Sequence, residues 1–477
     1  MFLPIHVEAV TSIVGRAEIL ALLFLTGAVL FVIEKKYVPA SGLFFLSLLS
    51  KEIAVSFLPV WLFIEFGWHR SKIQAVYKKF LYFIPAILVY SVLRYVAHGK
   101  YFLQNDATPV YNPIKFTSFL TGFWTSFKVF YFYIAKTFWP SSLSIDYSFN
   151  QIHVVENPFR SIETFLGIII LVLVAVLFFK TKNFLLRFGI FVFLASYFVI
   201  SNWVFKTGTI MAERLMYMPS LGLVIMAAVF MNNHLSIITN KLFRKLLLST
   251  FYFLLSSLLA WYGYVIIDRN KDWLSNKNLY ESAYAAASDS IVNQTNKAYL
   301  DFVEGRHNEA EERLNKVLVS TPDHVPALNL AGQNYKKLGK LQKSEDYWKK
   351  AIVLRSDYLR AYLSLGVLYY ENGYFKSAEK VLADAVSIYP RWHEVLFLAL
   401  TKVGLNQPDE AIKLIQDHFG KDPSRKELKF ALGWAYFQKG EREAAYKYFN
   451  QVKDPKLSMD EFLKTFEGSK VVILGEF

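Results

Sequence analysis

The sequence predicts an all-α protein in two chemically different parts, a polytopic bundle of membrane helices followed by a solenoid of stacked helix pairs. Three observations carry this. Apolar runs separated by short basic loops fill the first 267 residues. The chain turns polar at Asp268-Arg269-Asn270-Lys271-Asp272, where an apolar helix meets water. Beyond that join, glycines return every 34 residues, at 305, 339 and 373. The composition agrees: 54% of residues are hydrophobic and 19% charged, against about 45–50% and 25% in soluble domains. This composition argues against a single soluble globule, a disordered chain and a collagen-like fibre. The chain has no cysteine, which removes disulfide scaffolds, thiolate metal sites and cysteine nucleophiles. The net charge of +14 fits Lys and Arg in cytoplasmic loops and need not mean nucleic acid; the partner expected is a lipid bilayer, and no nucleic acid is expected.

The apolar runs lie near 17–33, 41–50, 53–66, 80–97, 118–138, 162–179, 184–200, 209–230 and 246–267. A span needs about 20 such residues. The 41–66 stretch carries Lys51 and Glu52 in its middle. It is either two short helices joined at Lys51, or one long helix with an internal ion pair, because a charge at membrane depth must be paired or face a polar cavity. Basic loops at 67–79, 180–187 and 231–245 are placed in the cytoplasm by the positive-inside rule, and Lys35-Lys36 joins them if 41–66 is a hairpin. Residues 98–160 and 201–208 then lie outside. This requires 118–138, broken by Lys128 and Lys136 and rich in aromatic rings, to lie in the interface plane; the alternative is an ordinary span. On this topology the chain leaves the bilayer on the outer face. Residues 2–16 hold no basic signal region and read as an outer loop, so an earlier span and its loop are expected to be missing from this chain. The organisation expected is a transmembrane domain at 1–267, a connector at 268–289, repeats at 290–457, and a capping helix with an apolar tail at 458–477.

In the repeat half, Gly440 follows Gly373 by 67 residues and Asn406 takes the place between them. Small residues stand five positions after each marker, at Ala310, Ser344, Ala378, Ala411 and Ala445. Pro322, Ser356, Pro390 and Pro423 close the units. This is the tetratricopeptide period. In the clearest unit, Tyr362, Leu365, Gly366 and Tyr369 line the first helix, and Ala378, Leu382 and Ala385 the second. Neither helix pair can bury its apolar side alone, so pairs must stack. About five units are expected. The first is degenerate, with Gln294 and Lys297 where bulky apolar residues belong. Tyr369, Tyr370, Tyr374, Trp392 and Tyr436 are read as packing. Arrays of this kind bind a peptide or partner protein, or brace an attached domain.

Chemistry is sought where polar residues abut hydrocarbon. His6, Glu8, Arg16 and Glu18 cluster beside the first apolar run. Glu8 is a candidate base, metal ligand or sugar contact, and Arg16 a candidate for a lipid phosphate; an ordinary outer loop is the bland reading. Glu213 and Arg214 sit inside the apolar segment 209–230. An arginine fork suits a phosphate or pyrophosphate. The plain alternative is a structural ion pair with Glu213 or with an acid elsewhere. Lys51 and Glu52 raise the same question. In the loop Trp139–Tyr147, Asp146 and Tyr147 are candidates to line an acceptor groove, though Asp146 equally caps a turn. No P-loop, G-x-S-x-G, H-E-x-x-H or cysteine metal spacing occurs.

Several of these stretches resemble the transmembrane and tetratricopeptide-repeat O-mannosyltransferase family. They are residues 5–20 (Ile-His-Val-Glu-Ala-Val-Thr-Ser-Ile-Val-Gly-Arg-Ala-Glu-Ile-Leu), Leu49-Ser50-Lys51-Glu52, Trp139–Asn150 with its Pro-x-x-Leu-Ser-x-Asp-Tyr-Ser core, and Ala212–Ser220. The resemblance covers nearly the whole chain; the alternative is a bacterial or archaeal relative of the family, whose substrate could differ. It implies a GT-C-like bundle, a polyprenyl-phosphate-linked sugar as donor, and transfer to Ser or Thr of an acceptor protein. It places the repeats outside the cytoplasm, at the plasma membrane of a prokaryote or the endoplasmic reticulum of a eukaryote. In this family an acidic outer loop carries the catalytic residue, and no such motif stands before Phe2, so the catalytic residue is unknown and Glu8 is a weak candidate. Arg214, and Arg16 with it, would neutralise the donor phosphate, with His6, Glu18, Lys51, Glu52 and Glu213 in support. No metal ligand set is assigned. A non-catalytic scaffold and a lipid-linked sugar transporter are the competing classes. Asn293-Gln294-Thr295 is a formal glycosylation acceptor able to report sidedness.

Overall fold

The structure, a computed structural model, describes residues 3–98, 108–236 and 241–452, with side chains at all of these except 98, 232–236 and 241–248. The described residues are all-α, with no strand. The chain divides into two compact units, Met1–Leu300 and Asp301–Phe477.

The first unit holds α1 (Val7–Thr11), α2 (Arg16–Ile33), α3 (Tyr37–Ser50), α4 (Phe57–Gly67), α5 (Ile73–Phe80), α6 (Ile84–His98), α7 (Phe119–Phe138), α8 (Ile162–Lys180), α9 (Phe184–Ile200), α10 (Pro219–Ser236), α11 (Lys241–Asp272) and α12 (Asn276–Ala286), and most of α13 (Ile291–Val303). Side-chain caps start several of them: Ser118, Ser161, Asn183 and Ser275 each accept the amide three residues on. Among the described residues, α2, α8 and the 249–272 part of α11 are long and apolar enough to cross a membrane; the bent pair α5–α6 makes a fourth if it counts as one span. α3, α9 and 219–231 of α10 are apolar but shorter, and α7 is a continuous 20-residue helix outside that set. Val172, Leu173 and Phe179 of α8 stand exposed, which suits hydrocarbon and not water. This is a membrane protein.

Two apolar runs fold differently from a plain span. The 41–66 stretch is two short helices. Lys51 is extended (φ −160°, ψ 141°), and a tight turn at Glu52–Ser56 separates α3 from α4. The 209–230 segment is not one helix, which corrects the placement of Glu213 and Arg214 inside it. Ala212 is extended, Glu213–Met216 forms a single tight turn, and α10 starts only at Pro219. Proline lacks the amide hydrogen and disfavours helix at the residue before it, so it begins a helix and does not continue one.

α2 packs on α3, α7 on α8 and α9 on α10. Phe44, Phe57, Phe83 and Trp61 interlock at the centre, with ring centroids 4.8–6.0 Å apart. Ser47 Oγ donates to the Ala21 carbonyl at 2.7 Å, so α2 and α3 approach closely. Glu65, fully buried, accepts from Tyr37, Ser71 and Lys79 at 2.8, 2.7 and 2.6 Å and ties the basic 67–79 loop to the bundle. Asn293 is fully buried, and its Nδ2 donates to the carbonyls of Ala283 and Ala287. The folded chain therefore does not offer it for glycosylation. Gln294 bonds the Ser288 carbonyl and Lys297 faces Glu281.

The second unit is an array of helix hairpins: α14 (His307–Ser320), α15 (Val325–Lys337), α16 (Leu341–Leu354), α17 (Leu359–Glu371), α18 (Phe375–Ile388), α19 (Trp392–Gly404), α20 (Pro408–Phe419), α21 (Lys426–Gln438) and α22 (Arg442–Phe449). The marker glycines close first helices with positive φ, from 73° at Gly339 to 86° at Gly440, and Asn406 adopts φ 60° in the same place. This left-handed cap needs glycine or asparagine. Where helices cross, a small residue faces a large one sixteen positions on. A Cβ on Gly332, Gly366 or Gly433 would lie 2.5 Å from Trp348, Leu382 or Phe449, respectively. Tyr370 is buried as packing, and Tyr369, Trp392 and Tyr436 lie against the same core, whereas Tyr374 is exposed. The capping helix and tail expected at 458–477 lie outside the described residues.

His324 precedes α15 and is buried, and burial holds its ring down to about 4 from 6.5; Asp323 opposes this weakly. The folded state keeps the ring neutral while the unfolded chain protonates near 6.5. Stability is therefore full above pH 6.5 and lost as pH falls toward 4. Limited proteolysis of the repeats should accelerate across that window, and less so in His324→Gln.

Candidate functional site

Residues 4–11 fold as a tight turn at Pro4–His6 followed by α1, and this segment meets the Glu213–Met216 turn. The backbone amide of Arg214 donates to Glu8 Oε2 at 3.0 Å, and its guanidinium Nη1 bonds Glu8 Oε1. Both oxygens of Glu8 are thus committed to one residue 206 positions away. Glu8 is buried, while the Arg214 side chain keeps 30% of its surface. His6 Nε2 lies 2.9 Å from Ser220 Oγ, and its ring meets Tyr217 edge-on at 4.8 Å.

A second pair adjoins the first. Glu18, at the start of α2, is fully buried with Lys51 Nζ at 3.3 Å. Arg214 also acts on Glu18 electrostatically, so Glu8, Arg214, Glu18 and Lys51 form one charge cluster. Lys51 retains 27% exposure. Two half-exposed cations thus stand over two buried carboxylates. Lys51 does not pair with Glu52, which bonds Arg94 at 2.6 Å instead. Arg16 is exposed at the first position of α2, and the structure brings it to no partner among the described residues.

Glu213 points the other way. Its Oε1 accepts from the Ser144 amide at 2.6 Å and from the Tyr147 hydroxyl, which locks the 139–150 loop onto the turn. Complete burial raises its carboxyl to about 7, with Arg269 opposing the rise and Glu8 adding to it. Asp146 Oδ1 accepts from the Ser148 amide at 2.8 Å and from Ser290 Oγ at 2.7 Å. Asp146 and buried Tyr147 therefore fix the loop, Asp146 to Ser148 and Ser290 and Tyr147 to Glu213. The open groove beside them is lined by Pro140–Leu143, with Arg269, Asp272 and Ser282 opposite. Sequence reasoning passed over Arg269 because it stood in a charged stretch read only as the membrane exit. Among the described residues, no three His, Asp or Glu side chains gather as a metal site.

A tetratricopeptide-repeat family pattern matches residues 329–391 and 398–457. Across 94% of its length the chain is 24% identical to human "Protein O-mannosyl-transferase TMTC3". Across 52% it is 24% identical to mouse "Protein O-mannosyl-transferase TMTC1". The chain spans 54% and 27% of those two relatives, respectively. Among solved structures it is similar to YrrB, a tetratricopeptide-repeat protein, at 18% identity and TM-score 0.33, over 39% of this chain and 96% of that one. The chain is thus a repeat-bearing membrane protein distantly related to protein O-mannosyl-transferases.

Proposed function

We propose that this protein is a glycosyltransferase of GT-C type that moves a sugar from a polyprenyl-phosphate donor to Ser or Thr of an acceptor protein at the extracytoplasmic face. The observation that carries this reading is the pair of half-exposed cations, Arg214 and Lys51, each held by a buried carboxylate beside apolar helices. A guanidinium oriented from behind by Glu8 keeps donors for phosphate oxygens. Charge grows on the donor phosphate as the sugar departs, and fixed cations there lower the barrier. His6, held by Ser220, sets the position of residues 4–11 and hence of Glu8. Proton removal from the acceptor hydroxyl is not assigned to Glu8, because Arg214 occupies both its oxygens. The repeats, on this reading, help present the acceptor. Distant relationship to protein O-mannosyl-transferases supports the reaction class, and mannose is the first sugar to test.

The test is reconstitution of the full protein in vesicles with labelled polyprenyl-phosphate mannose and a Thr-containing peptide. Label on the peptide is the expected result. Label that crosses the bilayer without reaching peptide would identify a transporter, and neither outcome would leave a scaffold.

A further inference from the structure

One stripe of α4 faces the bundle core and another lies open. Val60, Trp61 and Ile64 are buried in the core. Pro59, Leu62, Phe63, Phe66 and Gly67 stand at i, i+3, i+4, i+7 and i+8, which puts them on one other face. With Phe191 of α9 they line an open groove of about 530 Å³. The Phe63 ring lies 4.6 Å from Phe191 and 5.5 Å from Phe184, so one wall is a stack of aromatic rings. Leu62 and Phe66 are exposed. Every lining residue is apolar, so the groove suits a hydrocarbon chain.

Length and charge narrow the choice of chain. From Pro59 to Gly67, α4 rises about 12 Å, close to the depth of one leaflet of the hydrocarbon core, about 15 Å. Lys51, one of the two cations assigned to the donor phosphate, stands before the turn that enters α4, at the end away from Gly67. At the Gly67 end two basic loops meet. A Cβ on Gly67 would lie 2.6 Å from the Phe184 ring, and Trp68 packs on the same ring at 5.4 Å. The amides of His69 and Ser71 bond the Ile64 and Glu65 carbonyls, which folds the loop bearing Arg70 and Lys72 over the end of α4. Lys180 and Lys182 precede Phe184 on the other loop. All four cations are exposed, and no acid pairs with them among the described residues. The nearby acids are taken: Glu65 is buried against Tyr37, Ser71 and Lys79, and Glu34 pairs with Lys36 at 2.8 Å. An anion at this end meets unopposed positive charge, on the side that the positive-inside rule assigns to the cytoplasm.

We propose that this groove seats an acyl chain of an anionic phospholipid of the cytoplasmic leaflet, with the headgroup phosphate between Arg70 and Lys182. The proposal uses none of the residues of the transferase reading and stands apart from it. The chain has no cysteine, so Leu185→Cys, exposed beside Phe184, carries a single fluorescent label at the rim. The probes are phosphatidylglycerol and phosphatidylcholine with a nitroxide on one acyl chain, titrated into the full protein in dodecyl maltoside micelles. Phosphatidylglycerol should reach half-quenching at a concentration lower by about tenfold or more. Arg70→Gln and Lys182→Gln should each raise that concentration by about fivefold and leave phosphatidylcholine unmoved. Leu62→Trp fills the groove from an exposed position and should abolish saturable quenching by both lipids. Equal quenching by the two lipids, or a preference that survives Leu62→Trp and both charge variants, would overturn the site. Tighter quenching by nitroxide-labelled polyprenyl phosphate would give the groove to that lipid and overturn the proposal. A fall from dimer to monomer mass in Leu62→Trp, with no lipid preference in the parent, would make the face a contact between copies and do the same.

Discussion

Arg214→Gln is expected to lower transfer by about 100-fold or more, the usual cost of removing one donor aimed at developing charge. It is also expected to lower stability. Glu8 is buried and both its oxygens bind Arg214. Removing one partner of such a pair costs about 3–5 kcal/mol when both are buried, and the 30% exposure of Arg214 places this case at the lower end. The two losses are separable. In Glu8→Gln/Arg214→Gln, no charge is left unpaired, so thermal stability in detergent should return toward wild type while transfer stays lost. Arg214→Lys keeps the charge but loses the fork and should be intermediate in kcat. Wild-type turnover in Arg214→Gln would show that the arginine only braces residues 4–11 against the turn. Recovery of both properties in the double variant would mean the same.

The repeats were legible because their physics is local. A left-handed cap tolerates glycine or asparagine and little else, and a close crossing admits only a small residue. Gly339 and Gly366 therefore announce their roles, as does Asn406 in the glycine's place. The charge cluster was half legible. Glu18, Lys51 and Arg214 stand out because charge beside hydrocarbon is costly. Their partners do not, because Glu8 and Arg214 are 206 positions apart and no local pattern joins them. At two adjacent pairs the sequence left the partners open. Lys51 and Glu52 bond to Glu18 and Arg94, and Glu213 and Arg214 serve opposite sides of their turn. Side chains next to each other diverge, so sequence neighbours in a tight turn seldom pair. The 209–230 run misled: its apolar content is real, but Pro219 starts the helix and leaves the residues before it extended or turned.

Gly222→Ala should destabilise the bundle by about 3 kcal/mol, the upper end for overpacking, although alanine is the better helix former. The added Cβ would stand 2.4 Å from the Phe193 amide nitrogen, 2.5 Å from the Gly189 carbonyl oxygen and 2.7 Å from Phe193 Cα. All three are backbone atoms of α9, so no side chain can turn aside and the two helices must separate. Small residues allow helix backbones to touch in membranes, where packing and not water drives association. The control is Gly263→Ala in α11, where a Cβ meets nothing within 4 Å; there the change should be neutral or stabilise by about 0.4–1 kcal/mol. The effect should reach the charge cluster as well. α10 begins three residues before Gly222, and its Ser220 holds His6. Displacing α10 thus moves the anchor of the segment that bears Glu8, and Gly222→Ala should lower kcat at temperatures where the protein is still folded. Equal melting midpoints for Gly222→Ala and Gly263→Ala would mean that α9 and α10 do not touch backbone to backbone, and the positioning of Glu8 through Ser220 would lose its mechanical basis.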